Sequence, residues 1–314
     1  MSIPKLKKIQ ILVTGGAGFI GSHLVGELLK RGAIVRVLDN LETGRLENLS
    51  HCMDQIEFVE GDIRQVEVCQ RVCKEVVYVF HQAALGSVPR SMEDPSTTIS
   101  VNVAGTANIF VAGRDAGVKR IIYASSSSVY GDSLKIPMKE GEEGRLLSPY
   151  AVSKRMNEEL AEIFSQIYSL QLIGLRYFNV YGPRQNPNGP YAAVVPSFFK
   201  AAADGENPKI YGDGKQVRDF TFIEDVVMAN LLSSGAADIA CGKAYNVGAG
   251  FTTSVNDLAA QIGEISGRNW SPQHLPARAG DVRSSFANVE AIKKNVGFEP
   301  LYDLKTGLSK MASV

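Results

Sequence analysis

Residues 9–21 read Ile9-Gln10-Ile11-Leu12-Val13-Thr14-Gly15-Gly16-Ala17-Gly18-Phe19-Ile20-Gly21. The apolar run over residues 9–14 has the character of a strand, and a helical pattern follows over residues 18–30. Between them Gly15, Gly18 and Gly21 recur every third position. Gly15 permits a tight turn, Gly18 lets backbone approach a pyrophosphate, and Gly21 lets the helix pack close to the strand. The helix start then offers free N–H groups and the positive end of its dipole to phosphates. Strand, turn and helix in this order predict the opening unit of a dinucleotide-binding parallel sheet.

The same alternation continues outward. Residues 34–39, 56–60, 76–81, 120–124 and 172–176 are nearly continuous in Val, Ile, Leu, Phe and Tyr, as in strands buried on both faces. Helical patterns lie between them, notably over 96–116 and 150–168. This alternation predicts an α/β doubly wound parallel sheet of the Rossmann type. After Tyr177, residues 182–189 and 207–214 are rich in Gly, Pro and Asn and read as loops. Helical patterns resume over 224–234, 255–266 and 289–295. The expected division is a nucleotide-binding domain over 1–180 and a smaller, mixed α/β domain over 181–314 for the substrate, with some segments interleaved.

Thirty-three basic residues balance thirty-three acidic ones, which argues against non-specific nucleic-acid binding. No apolar stretch reaches bilayer-spanning length, and no secretory signal is visible, so no membrane association is expected. Cys69 and Cys73 are four apart, and with Cys52 and Cys241 they lack zinc-site spacing. No metal is expected, and free thiols suit a cytoplasmic protein.

Two further features carry chemistry. Asp39 closes the second strand eighteen residues beyond Gly21, where a carboxylate accepts from ribose hydroxyls and repels a 2′-phosphate. NAD is therefore favoured over NADP, with the nearby Arg45 pulling slightly the other way. Asp62-Ile63 follows the third strand, where the polar group either meets the adenine edge or is an ordinary strand-end aspartate. Tyr150 and Lys154 lie one helical turn apart after Pro149, so phenol and ammonium can converge. The ammonium and a cationic nicotinamide ring are expected to lower the phenol's pKa, making Tyr150 a general base. Ser125-Ser126-Ser127-Ser128 ends a strand on the edge where such sheets bind ligands, and a hydroxyl there can hold a substrate oxygen.

With these motifs, and with His81-Gln82-Ala83-Ala84, Arg176-Tyr177-Phe178-Asn179-Val180-Tyr181-Gly182-Pro183, Tyr211-Gly212-Asp213-Gly214, Arg218-Asp219-Phe220 and Arg278-Ala279-Gly280-Asp281-Val282-Arg283, nearly the whole chain resembles the extended short-chain dehydrogenase/reductase family. The similarity is to its NAD-dependent sugar-nucleotide epimerases and dehydratases. The resemblance implies that Phe19, Ile20, Asn40, Thr43, Gly44, Gln82, Ala83, Ala84 and Tyr177 join the glycines, Asp39, Asp62 and Ile63 around NAD. Lys154 would also hold the nicotinamide ribose. Ser126 would hydrogen-bond the hexose 4-oxygen with Ser127 and Ser128 nearby, and Asn179 would contact the diphosphate or sugar. Arg218, Arg278 and Asp281 would clamp the nucleotide, Tyr211 would line the uridine pocket, and Ser87, Val88, Arg90, Ala193 and Val194 would border the substrate. The helices over 96–116 and 150–168 would form a four-helix homodimer contact. The terminal Lys310-Met311-Ala312-Ser313-Val314 looks shorter than the family's final helix.

Related dehydratases carry an Asp-Glu pair, and decarboxylases a Glu, where this chain has Ser127 and Ser128. Serine cannot do that acid–base work near neutral pH, so the expectation is epimerisation of a UDP-hexose at C4 without elimination. Ser285 falls where the family sets pocket width, and a small residue there admits an acetamido group, as in UDP-GlcNAc and UDP-GalNAc. UDP-glucose and UDP-galactose remain possible substrates. Arg90 would be the cation for a uronic acid if UDP-glucuronate were the substrate. A keto-sugar-nucleotide reductase using NAD(P) and a non-catalytic NAD-binding regulator are the rival readings.

Overall fold

Strands with no polar face must be covered on both sides, and seven parallel strands here lie between helical layers. In the computed structural model, which describes residues 2–188, 192–277 and 282–313, they are β1 (Gln10–Thr14), β2 (Ile34–Asp39), β3 (Ile56–Glu60), β4 (Tyr78–His81), β5 (Arg120–Ser126), β6 (Gln171–Tyr177) and β7 (Lys243–Val247). Their order is β3-β2-β1-β4-β5-β6-β7, reversing between β1 and β4. Side-chain alternation sends Ile11, Val13, Val35, Val37 and Ile173 into one core and Leu12, Leu38, Ile121 and Leu172 into the other. Helices α1 (Phe19–Lys30) and α8 (Ile223–Ser234) cover the first face. Helices α2 (Val66–Cys73), α5 (Thr106–Asp115) and α6 (Pro149–Tyr168) cover the second. The remaining helices are α3 (Val88–Glu93), α4 (Pro95–Ile99), α7 (Val194–Asp204), α9 (Val255–Ile265), α10 (Glu290–Val296) and α11 (Leu304–Ala312).

One local expectation changes, and one strand is new. The stretch 96–116 is not one regular helix, because a π-helical segment, Ser100–Gly105, separates α4 from α5. Asn102 in that segment turns inward. It accepts from Leu85 N–H at 2.8 Å and donates to Leu85 C=O at 3.2 Å and Ser153 Oγ at 3.0 Å. The seventh strand, β7, carries no strand signal in the sequence because Asn246 interrupts its apolar run. The fold satisfies that side chain: it accepts from Tyr130 Oη and donates to the carbonyls of Met138 and Asn288.

The later part of the chain adds a three-stranded sheet, with Val217–Arg218 between Thr253–Ser254 and Ser284–Ser285. A two-stranded sheet pairs Lys209–Tyr211 with Gln273–Leu275. Asp219, fully buried, knits these turns together by accepting from the N–H groups of Ala249, Gly250 and Ala287. Among the described residues no helix is long and apolar enough to cross a membrane.

Candidate active site

The cofactor cradle is built by close approach. Gly15 has φ +68°, and a Cβ there would lie 2.7 Å from the Ala83 nitrogen. A Cβ on Gly21 would stand 2.1 Å from the Gly15 carbonyl oxygen, so the helix can begin this tightly only on glycine. Gly18 is the N-cap of α1, and Phe19 and Ile20 open its first turn. Gly16 is also required, since its Cβ would fall 2.6 Å from Val37 Cγ1; the sequence reading left it without a role. Asp39 is 7% exposed and fixed by two backbone amides, Ala17 N–H and Leu41 N–H, each at 2.9 Å. Burial raises its pKa against those bonds. Gly44 leaves room over the carboxylate: a Cβ there would meet Asp39 Oδ1 at 2.8 Å. Asp39, Asn40, Thr43, Ile63, Ala83 and Ala84 line one cleft along this edge. Asp62 also borders the cleft, but its carboxylate is held by Arg64 at 2.6 Å and by Asn40 at 3.0 Å. Those partners push its pKa down to about 2, so the adenine contact expected of it would compete with an ion pair. A dinucleotide pyrophosphate fits the glycine cradle, and the buried Asp39 carboxylate fits unphosphorylated ribose.

The reacting edge lies at the C-terminal ends of β5 and β6. Ser148 caps α6, accepting from Ala151 N–H at 3.1 Å, and Pro149 opens the helix. Tyr150 N–H donates to Ser91 Oγ at 3.1 Å, which ties the helix start to α3. The Ser126 side chain stands near enough to the Tyr150 phenol to lower its pKa. Lys154 Nζ donates to Ala124 C=O at 2.8 Å and stands 5.9 Å from the Tyr150 ring centre. Burial raises the Tyr150 pKa and Ser126 opposes that rise, while the ammonium stands 5.9 Å from the ring centre and donates to a carbonyl. Burial also pulls Lys154 down to about 8. Ser128 N–H donates to Ser126 Oγ, and the Ser128 hydroxyl is buried with no partner among the described residues.

A polar chain unforeseen from sequence lies behind this edge. Ala83 N–H donates to Thr14 Oγ1, whose hydroxyl faces His81 Nδ1 at 2.7 Å; His81 Nε2 meets Thr106 Oγ1 at 2.9 Å. Thr106 donates to Asn102 C=O at 2.6 Å, so its oxygen accepts from Nε2–H and the ring's acceptor is Nδ1. Burial pushes His81 down to about 3, leaving it neutral. Tyr177 Oη donates to Gln82 at 3.1 Å and accepts from Asn230 at 2.9 Å, closing a triangle across β4, β6 and α8.

The residues expected on the substrate side are placed as follows. Asn179, at φ +29°, donates to Asp219 C=O at 2.9 Å. Ser285 pairs with Arg218 across strands, and its hydroxyl lies 3.8 Å from Met138 sulfur. Tyr211 is on an edge strand, and Ala193 and Val194 begin α7. Ser87 caps α3 through Arg90 N–H, with Val88 exposed. The Arg90 guanidinium is paired with Glu42 at 3.4 Å. Arg278 and Asp281 lie outside the described residues, as do residues 189–191.

The match to known proteins follows this geometry. Residues 11–248 match the model of the NAD dependent epimerase/dehydratase family. The chain belongs to that family. A UDP-glucose 4-epimerase of Mycolicibacterium smegmatis is 38% identical, over 96% of this chain and 97% of the relative. A UDP-N-acetylglucosamine 4-epimerase of Methanobrevibacter ruminantium, solved with UDP-N-acetylmuramic acid, superposes with a TM-score of 0.93 at 36% identity, covering 98% of each chain. The UDP-glucose 4-epimerase of Thermus thermophilus, solved with NAD, has a TM-score of 0.88 at 35% identity, over 97% of this chain and 98% of that one. The cofactor of this family member is NAD, in keeping with the cradle and with Asp39.

Proposed function

We propose that this chain interconverts UDP-hexoses at C4, with UDP-GlcNAc and UDP-GalNAc as its preferred pair. The observation that carries the reading is the convergence of Tyr150, the Ser126 side chain that acts on its phenol, and Lys154, with serines and no carboxylate at 127 and 128. NAD, when bound, supplies the acceptor and donor of hydride at C4 and the positive charge that lowers the Tyr150 pKa. Tyr150 takes the proton of the 4-hydroxyl and later returns one, while Ser126 holds the 4-oxygen through both half-reactions. Lys154 keeps its ammonium beside Tyr150 and would hold the nicotinamide ribose. The glycine turn and Asp39 retain the cofactor through turnover. With no acid–base pair at 127 and 128, the keto sugar turns about its diphosphate linkage and is reduced on the opposite face without losing water.

Ser285 supports the acetamido preference because its short side chain leaves the space a tyrosine would fill. The Arg90–Glu42 pairing weighs against the UDP-glucuronate reading, since the guanidinium is already engaged. We further assign residues 1–180 mainly to cofactor binding and 181–314 mainly to the sugar nucleotide, with β7 crossing that division. Val152, Met156, Ile163 and Ile167 are exposed along α6 and support the homodimer contact.

The test is incubation with UDP-GlcNAc, without added cofactor, and separation of the nucleotide sugars, with UDP-glucose and UDP-glucuronate alongside. Formation of UDP-GalNAc is expected. Conversion of UDP-glucose alone would refute the wide pocket, and no 4-epimer from any of them, even with NAD added, would sink the epimerase reading.

A further inference from the structure

The mechanism leaves one buried carboxylate unused. Glu158 lies one turn beyond Lys154 on α6 and is 8% exposed. It accepts from Ser125 Oγ at 2.6 Å and, in two-pronged fashion, from Arg176 Nε and Nη2 at 2.8 Å each. Ser125 pairs with Arg176 across the sheet, and the next pair along is Ser126 with Tyr177. The carboxylate therefore fastens the end of β5, which carries Ser126, to the helix that carries Tyr150. Such a buried pair fixes geometry more dependably than it adds stability.

We propose that Glu158 is a positioning residue: through Ser125 it sets Ser126 against Tyr150, and by its charge it keeps Lys154 an ammonium. The first half rests on the epimerase reading; the second is independent of any substrate. Burial draws Lys154 down to about 8, and the Glu158 carboxylate is what opposes that fall. The groups facing Lys154 from other elements do not supply the charge: His81 on β4 is pushed to about 3 and is neutral, and Tyr150 is held protonated by burial. Around Glu158 stand Arg176 on β6, Arg155 on α6 at 3.6 Å, and the Tyr123 phenol on β5; Glu143, from the segment before α6, takes the other side of Arg176.

The experiment labels lysine side chains with 13C and follows the Lys154 signal, assigned by its loss in K154R, against pH. In E158Q, which keeps an acceptor for Ser125 but loses the charge, the Lys154 midpoint is expected to fall by about one pH unit. The alkaline limb of UDP-hexose turnover should move with it. S125A keeps the charge and cuts the tie, so the midpoint should stay while kcat falls roughly tenfold with KM little changed. An unmoved midpoint in a folded E158Q overturns the charge role, and wild-type kcat in S125A overturns the positioning role. Should E158Q not fold, E158D, which keeps the charge but shortens the reach to Ser125, is read for kcat, where a wild-type value overturns the positioning role, while a wild-type Lys154 midpoint below about 7 overturns the charge role. A wild-type protein that epimerises no UDP-hexose defeats the functional reading and leaves the Lys154 titration as the test.

Discussion

Tyr150 sits where burial disfavours its phenolate, and its hydroxyl answers to Ser126 rather than to Lys154. A base held back in this way acts only when positive charge arrives beside it, which ties proton transfer to cofactor occupancy. Tyr150→Phe should leave the fold intact and cut epimerisation by about 10²–10⁴-fold, the range of a lost acid–base group; chromatography of the nucleotide sugars checks this. At the cradle, Gly21→Ala would drive a methyl group to 2.1 Å from the Gly15 oxygen, a contact only backbone movement can relieve. The expected result is a loss of about 1–3 kcal/mol or more in stability and loss of NAD retention, read by thermal melting and by cofactor release from the purified protein. At the pocket, Ser285→Tyr should lower turnover of UDP-GlcNAc about tenfold or more relative to UDP-glucose. Equal losses on both substrates would show that position 285 does not gate the acetamido group.

At the scale of elements, α6 serves three surfaces. Its first two turns carry Tyr150 and Lys154, its inward face carries Asn157, Glu158 and Ala161, and its outward face exposes Met156, Ile163 and Ile167. An apolar stripe on a helix that already packs inward is a candidate contact with a second copy. Met156→Glu combined with Ile163→Glu should yield a monomer by light scattering with the melting transition retained. A wild-type protein that is already monomeric at micromolar concentration refutes the contact. The π-helical segment before α5 acts inwardly instead. Asn102 there joins the Leu85 backbone to Ser153, which in turn donates to the Tyr150 carbonyl at 2.8 Å. Asn102→Ala strands a buried Leu85 N–H, and a cost of about 1–3 kcal/mol is expected in denaturant unfolding.

The fold holds two histidines in neutral form, His81 buried and His23 half-buried. Burial pushes His81 down to about 3 and His23 to about 4, from an ordinary 6.5. The unfolded chain takes up protons at these rings once pH drops below about 6.5, while the folded chain resists. Their contribution to stability is therefore complete above that pH and is lost as pH falls toward 4 and then 3. The melting temperature should decline on going from pH 7 to pH 5. In His81→Gln the decline should be shallower, although melting at pH 7 is lower because the Thr14 and Thr106 contacts are disturbed. Parallel slopes for the two proteins would remove His81 as a source of acid sensitivity.

The glycine turn, the six strands from β1 to β6, Asp39 and the Tyr150/Lys154 pair were legible from the sequence, because each follows from spacing within a single turn, strand or helix. A glycine every third position and a phenol four residues before an amine keep their meaning wherever the chain goes next. What tertiary structure decided is what depends on distant partners. Asn246 is a strand residue only because Tyr130, Met138 and Asn288 satisfy its amide. Asp62 and Arg90 looked available and are taken by Arg64 and Glu42. The tautomer of His81, the inward turn of Asn102 and the Ser125–Glu158–Arg176 tie likewise join residues from different elements. A buried polar group must find a partner, and which partner it finds is settled when the layers close over it rather than by its neighbours along the chain.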